Sequence, residues 1–424
     1  MGKDKIIIGL TGSFGSGCSK KVAPILRDKF NFKIYSVADI LEEEAKDRNI
    51  SIETKRKKEK RKILQDIGNE MRKEDIERGN GGGVLIRKIM ELAQKEADEK
   101  DIVINSIKNP CEVAELKRYP NAYLIAIDAS SNIRWERVKD ETYEGDLNQF
   151  REDDNRDKDE GLKCKDIRGQ EYYYGQQVQK CIDLADILID NDENFKTPRE
   201  KEDFEREIEG YIKLILNPGS RLPTAMEVLM NNAYCISLQS QCLKRRVGAI
   251  IVEQEPEKEE YYIKSSGYNK VPEGNNECRV EYKECYRDRR KREVLNEFEY
   301  CPSCGEKIKK GDCKCSKCKT DLKKFISYGK GLDVCRALHA EERAILQVSY
   351  LGGTSLRNTT LYTTTFPCAL CAKQIIAVGI SRICYVEAYP MEEAKDMLKS
   401  AEVELVKFKG VKAQAFYKLF KDYE

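Results

Sequence analysis

The sequence has no excess of charge of either sign. Its 76 Lys and Arg face 74 Asp and Glu, for a net +2 at pH 7. That excludes a global basic field for nucleic acid; any such field must be local. No apolar run has the length of a transmembrane helix, so no membrane partner is expected. The apolar part of Met1-Gly2-Lys3-Asp4-Lys5-Ile6 is too short for a secretory leader. Ile6 stands where a myristoylation motif wants Ser or Thr. The expected location is the cytoplasm. Histidine is nearly absent: His339 is alone in 424 residues.

Cysteine, by contrast, is abundant at 17. In a chain with no export signal, metal binding explains such a number better than disulfides. Six of them form CxxC pairs, and most of the rest read as small buried apolar residues. The length predicts two or three domains.

The chemistry centres on the lone histidine. His339-Ala340-Glu341 is followed by Pro367-Cys368-Ala369-Leu370-Cys371. H-x-E with P-C-x-x-C is the signature of zinc-dependent nucleobase deaminases. His339, Cys368 and Cys371 are the candidate ligands of a catalytic Zn²⁺, a set that leaves one tetrahedral position for water. Glu341 is the candidate acid/base and is not needed as a ligand. Helical spacing over Ala340–Ser349, a β-rich Thr360–Thr365 and a second helix over Ala369–Val378 predict that two helix starts bring the ligands together.

At the other end, Lys5–Leu10 reads as a strand, Gly12-Ser13-Phe14-Gly15-Ser16-Gly17-Cys18-Ser19 as a glycine loop, and Val22–Phe30 as a helix. This is the setting of a P-loop. Gly12, Gly15, Gly17 and Ser19 are the candidate phosphate contacts, with a nucleotide and Mg²⁺ as the candidate ligand. Cys18 stands where the motif has lysine, so phosphate binding without phosphoryl transfer is the expectation. Strands over Lys33–Val37, Asp101–Asn105, Ala122–Asp128 and Ile187–Asp190, with helices between, predict a parallel sheet. Glu53–Lys73 reads as a solvated charged helix. The charged stretch Phe150–Cys164 resembles a lid, with Arg151, Arg156 and Arg168 as candidate phosphate contacts; an exposed polar loop is an equal reading.

Asn217–Pro223 reads as a linker. The expected domains are therefore 1–216, a degenerate P-loop kinase-like unit; 217–224, a linker; and 225–424, a mixed sheet with helices. The second opens with a helix over Ala225–Gln241 and a hairpin of Val247–Val252 with Tyr261–Ser265. It closes on a helix, Lys412–Tyr423, whose apolar face packs on a domain or a subunit. Gln241–Val252 and the loop Gly267-Tyr268-Asn269-Lys270-Val271-Pro272-Glu273-Gly274 resemble the dCMP deaminase family. The resemblance covers Ala225 to about Lys409. It implies a cytidine-deaminase-like fold, Asn269 at the sugar and base, and Lys244 and Arg246 toward the nucleotide phosphates. The fusion to a P-loop unit resembles the bacterial antiphage dCTP/dCMP deaminases, which deplete a nucleotide pool. That implies a free deoxycytidine nucleotide substrate, a homo-oligomer and a regulatory nucleotide or RNA.

An insertion at about 275–333 interrupts the match. Cys301-x₂-Cys304 and Cys315-x₂-Cys318 read as a closed structural Zn²⁺ ribbon, with Cys313 an alternative to Cys315. Between Glu277 and Asp333 there are 16 Lys/Arg and 11 Asp/Glu. Arg287, Arg289, Arg290, Lys291 and Arg292, with Tyr282, Tyr286, Tyr300 and Phe325 nearby, keep open a cytosine deaminase acting on RNA or single-stranded DNA. A nucleotide sensor with an inert site is a third reading.

Overall fold

The computed structural model describes residues 5–53, 55–96, 99–192, 197–255, 260–325, 334–387, 392–412 and 414–421. The chain divides into two compact units. One is Met1–Glu227 with Lys409–Glu424, the other Val228–Phe408. The end of the insertion, 326–333, and the centre of the acidic hairpin turn, 256–259, fall outside the described residues.

The first unit is built on a near-continuous apolar run. Ile7–Thr11 (β1) is buried at every position, as a strand covered on both faces must be. It lies between Ile102–Ile107 (β3) and Ala122–Asp128 (β4), parallel to both. Lys33–Ser36 (β2) adds beyond β3, and Ile187–Asp190 (β7) beyond β4. Between them in the chain, Lys163–Lys165 (β5) and Glu171–Tyr173 (β6) make a small hairpin. The strand order changes direction at β1, and the glycine loop follows it directly. That is where doubly wound sheets bind ligands.

Two sequence expectations need correction here. The closing segment does not belong with the C-terminal sheet. Gly410–Val411 (β13) pairs antiparallel with β7 in the first unit. Val411, Ala415 and Leu419 are buried in that unit's core, and the Lys412 ammonium donates to the carbonyls of Ile182 and Asp183. Covering an exposed sheet edge and burying this apolar face favour the return. The charged helix, Lys57–Glu77, is likewise not simply a solvated face, because Leu64, Ile67, Met71, Arg72 and Ile76 are buried. The lid region is a helix, Leu147–Lys158, followed by the β5–β6 hairpin.

The second unit holds a five-stranded mixed sheet. Gly248–Glu255 (β8) and Glu260–Tyr268 (β9) form the hairpin. Thr360–Thr365 (β10), Arg382–Glu387 (β11) and Glu404–Lys407 (β12) complete the order β12-β11-β10-β8-β9. β10 runs antiparallel to β8 and parallel to β11. Helix Ala340–Tyr350 packs on β9 at a glycine. A Cβ on Gly267 would sit 2.1 Å from the Ala340 carbonyl, so only glycine lets the helix approach so closely. Among the described residues no helix is long and apolar enough to cross a membrane.

Candidate active site

Two helix starts meet over β10. His339 is the N-cap of Ala340–Tyr350, and Cys368 is the N-cap of Ala369–Ala377. Cys371 lies one turn further on and is 1% exposed. His339 Nδ1 is 3.3 Å from Cys368 Sγ and 3.3 Å from Cys371 Sγ. Around one tetrahedral Zn²⁺, an imidazole nitrogen and a thiolate sit roughly 3.6 Å apart. The donor set and its spacing therefore fit zinc. Hydrogen bonding from Cys371, and from His339 beside it, pulls the Cys368 thiol well below its usual range, which favours the thiolate that a zinc ligand must be.

Glu341 is 4% exposed. Burial pushes its carboxyl above the usual range, against the pull of His339. Its Oε2 lies 3.8 Å from Cys371 Sγ, and its Oε1 lies 3.3 Å from Thr363 Oγ1. Thr363 is fully buried on β10 and also reaches the Thr365 carbonyl at 3.0 Å. Glu342, the next residue, caps its own helix by accepting from the His339 amide at 3.2 Å. The two adjacent glutamates therefore do different things. Glu342 closes the helix, and Glu341 faces the ligands.

The substrate-loop residues are more varied. Asn269 clasps the turn before β8: its Oδ1 accepts from Val247 N and its Nδ2 donates to Arg245 O, both at 2.9 Å. Among the described residues, one N–H and one lone pair of the amide stay available. Lys244 is tied to Asp288 in an ion pair. Arg246 is exposed and has no hydrogen bond or ion pair among the described residues. Thr363 and Arg343 escaped the sequence reading. The Arg343 guanidinium lies 4.0 Å over the Tyr268 ring, and its Nη1 is buried without a partner among the described residues. Arg343 follows His339 by four positions on one helix face, the spacing that could have revealed it.

The four ribbon cysteines also gather. Cys301 Sγ to Cys318 Sγ and Cys304 Sγ to Cys315 Sγ are both 3.6 Å. Sulfurs around one zinc lie roughly 3.8 Å apart, so this set fits as well. Cys313 points to the Gly311 carbonyl, outside the cluster.

In the first unit, Gly15 (φ 86°) and Gly17 (φ 109°) hold the left-handed turns of the glycine loop. A Cβ on Gly12 would meet the Ile127 carbonyl at 2.4 Å. Ser19 Oγ accepts from Asn105 Nδ2 at 2.8 Å. Of the arginines expected there, Arg156 is held by Asp66 and Glu160, and Arg151 and Arg168 are exposed. Arg134 and Arg137 hold the loop, donating to the carbonyls of Phe14 and Gly15.

Residues 223–387 match the family described as the cytidine and deoxycytidylate deaminase zinc-binding region. The deoxycytidylate deaminase of Enterobacteria phage T4 is 31% identical over 179 residues, 41% of this chain and 84% of that protein. The chain belongs to the deoxycytidylate deaminase family. It is therefore a deaminase with a zinc-binding region. A second deoxycytidylate deaminase, from Schizosaccharomyces pombe, is 28% identical over 310 residues, 72% of this chain and 75% of that protein. A UPF0200 protein of Methanocaldococcus jannaschii is 25% identical over 212 residues, half of this chain and 91% of that protein. The family's zinc-binding region spans all three donors and Glu341.

Proposed function

We propose that this enzyme hydrolyses the 4-amino group of a free deoxycytidine nucleotide, dCMP or dCTP, giving the deoxyuridine nucleotide and ammonia. The observation that carries the reading is Glu341, buried within reach of the His339, Cys368 and Cys371 cluster. His339, Cys368 and Cys371 would hold the zinc, which when bound makes a water nucleophilic near neutral pH. Glu341 accepts the proton of the attacking water and returns it to the ring nitrogen. It then takes the remaining hydroxyl proton of the adduct and passes it to the amine, which leaves as ammonia while the C4 carbonyl forms. Burial keeps this carboxyl basic enough for that shuttle, and Thr363 fixes its direction.

The substrate assignment draws on the loop Gly267–Gly274 and on relatives named for deoxycytidylate. Asn269 shapes the pocket wall and offers its remaining N–H and lone pair to the sugar. Arg246 is the phosphate contact, with Lys244 beside it. The basic insert supports the polymer alternative poorly. Arg289 pairs with Glu293, Arg290 with Glu293 and Glu297, and Arg292 with Glu284. Arg289 and Arg336 lie 5.0 and 5.1 Å from the Tyr282 ring, where a base would have to stack. The glycine-loop unit acts as a nucleotide-binding module that does not turn its ligand over. The resemblance of this fusion to the bacterial antiphage dCTP/dCMP deaminases supports a homo-oligomeric enzyme that depletes deoxycytidine nucleotides in antiphage defence.

Arg246→Ala is expected to raise KM for dCMP or dCTP about tenfold, with kcat little changed, if it holds phosphate equally in ground and transition states. Deoxycytidine, which has no phosphate, is the control. An equal loss with the nucleoside would remove Arg246 from the phosphate site.

Elemental analysis is expected to find two zinc ions per chain, because each donor set holds one. Cys301→Ser with Cys304→Ser should halve that content and lower the melting temperature more than it lowers kcat. A content of one in the unaltered chain would contradict the ribbon.

A further inference from the structure

The glycine loop has lost its lysine, yet an ammonium is still there. Cys18 cannot replace it. Its Sγ turns back to the Thr11 carbonyl at 3.3 Å, and burial pushes the thiol up and keeps it neutral. The cation arrives from the neighbouring strand. Lys108, just past β3, places Nζ 2.7 Å from the Gly12 carbonyl, the first of the loop. Its side chain is 19% exposed. A bulge brings it there. The register passes from Leu10 opposite Asn105 to Thr11 opposite Ile107, and the skipped Ser106 takes φ 81°. Asn105 and Lys108 therefore both meet the loop.

Asn105 is the second observation. It is 6% exposed, its Nδ2 lies on Ser19 Oγ, and its Oδ1 is buried with no partner among the described residues. A Mg²⁺ site beside phosphate takes one or two carboxylates. At Ser19 there is a neutral amide.

A carboxylate does approach the loop, but at its other end and as an anion. Asp157, on helix Leu147–Lys158, is fully buried. Its Oδ2 accepts from the loop amide of Phe14 at 3.3 Å, lies 2.7 Å from Arg61 Nη2 and lies 3.8 Å from Lys108 Nζ. Its Oδ1 accepts from Gln65. A backbone amide, a guanidinium and an ammonium converge on one oxygen. That is the donor set a phosphate oxygen takes.

We propose that the first unit binds the phosphate of a small phosphorylated ligand without Mg²⁺, with Lys108 as its cation. Asp157 holds the place of a phosphate oxygen until the ligand displaces it and frees Arg61. The proposal rests on the reading of this unit as a nucleotide-binding module. It adds which residue carries the charge, that no divalent ion is needed, and what the ligand must push aside.

Calorimetric titration of the full zinc-loaded chain with pyrophosphate, ADP and ATP, with Mg²⁺ and with none added, tests it. Binding of at least one probe with little dependence on Mg²⁺ is expected. Lys108→Met should weaken it about tenfold or more, and Asp157→Asn should tighten it severalfold by removing the competing charge. Tighter binding cannot come from a misfolded variant, so the second substitution guards the first. Binding that requires Mg²⁺, survives Lys108→Met unchanged, or is not tightened by Asp157→Asn overturns this proposal alone. No binding of any probe overturns it together with the nucleotide-module reading.

Discussion

Glu341→Ala is expected to lower kcat about 10³- to 10⁴-fold while the zinc content stays at its original value. The size follows from the work of one carboxyl, which moves the water proton to the ring and then helps ammonia leave. The constancy of zinc follows from the ligand set. His339, Cys368 and Cys371 approach one another at zinc-ligand spacing without any contribution from Glu341. Assay and elemental analysis on the same sample separate the two roles. Loss of one zinc with the activity would make Glu341 a ligand. Retention of more than about a tenth of kcat would fall below the range for general acid–base catalysis and give the proton transfers to another group. Thr363→Val should give a smaller loss, since it leaves the carboxyl in place and removes only the hydroxyl that meets it and the Thr365 carbonyl.

The second large effect concerns stability. Arg72 is 2% exposed and Glu112 is fully buried, 2.7 Å apart. Arg72 also donates from Nε to the Tyr174 carbonyl at 2.8 Å and from Nη2 to Asn69 at 2.6 Å. Glu112 accepts from the amides of Lys108 and Asn109 as well. Removing one partner leaves a buried charge uncompensated, at a cost of about 3–5 kcal/mol. Arg72→Met should therefore lower the first unit's unfolding temperature by on the order of 10 °C in scanning calorimetry. Arg72→Lys should recover little, because an ammonium cannot reproduce three bonds fixed by a planar fork. A shift of about 2 °C or less would mean that water reaches the pair. Because Glu112 holds the amide of Lys108, this network also sets the start of the segment that reaches the glycine loop.

The gathering of His339, Cys368 and Cys371 was legible because its signature is local. Three residues supply H-x-E and five supply P-C-x-x-C, and each half begins a helix whose periodicity is plain. The central strands β1, β3, β4 and β7 were legible for a similar reason: buried parallel strands are mostly apolar. What escaped the reading depends on contacts distant in the chain. Gly410–Val411 is too short to announce a strand, and its partner, β7, lies more than two hundred positions away. Arg72 sits in a run of charges that composition alone assigns to solvent; only Glu112 opposite shows otherwise. Lys108 and Asp157 are ordinary charged residues in sequence. Their meaning comes from a register bulge at Ser106 and from the lid helix, neither of which has a periodic signature. The P-loop spacing shows only that Cys18 stands where the motif has lysine, whereas the approach of Lys108 to the Gly12 carbonyl is visible only in the fold.

The free-nucleotide assignment turns on which form of cytosine is consumed. Equal amounts of cytosine offered as dCMP, dCTP, CTP, single-stranded DNA and RNA, with ammonia release and uracil formation followed in each, decide it. Fastest turnover is expected with dCMP or dCTP, with the ribonucleotide and both polymers far slower. Faster uracil formation in DNA or RNA than in any free nucleotide would contradict it.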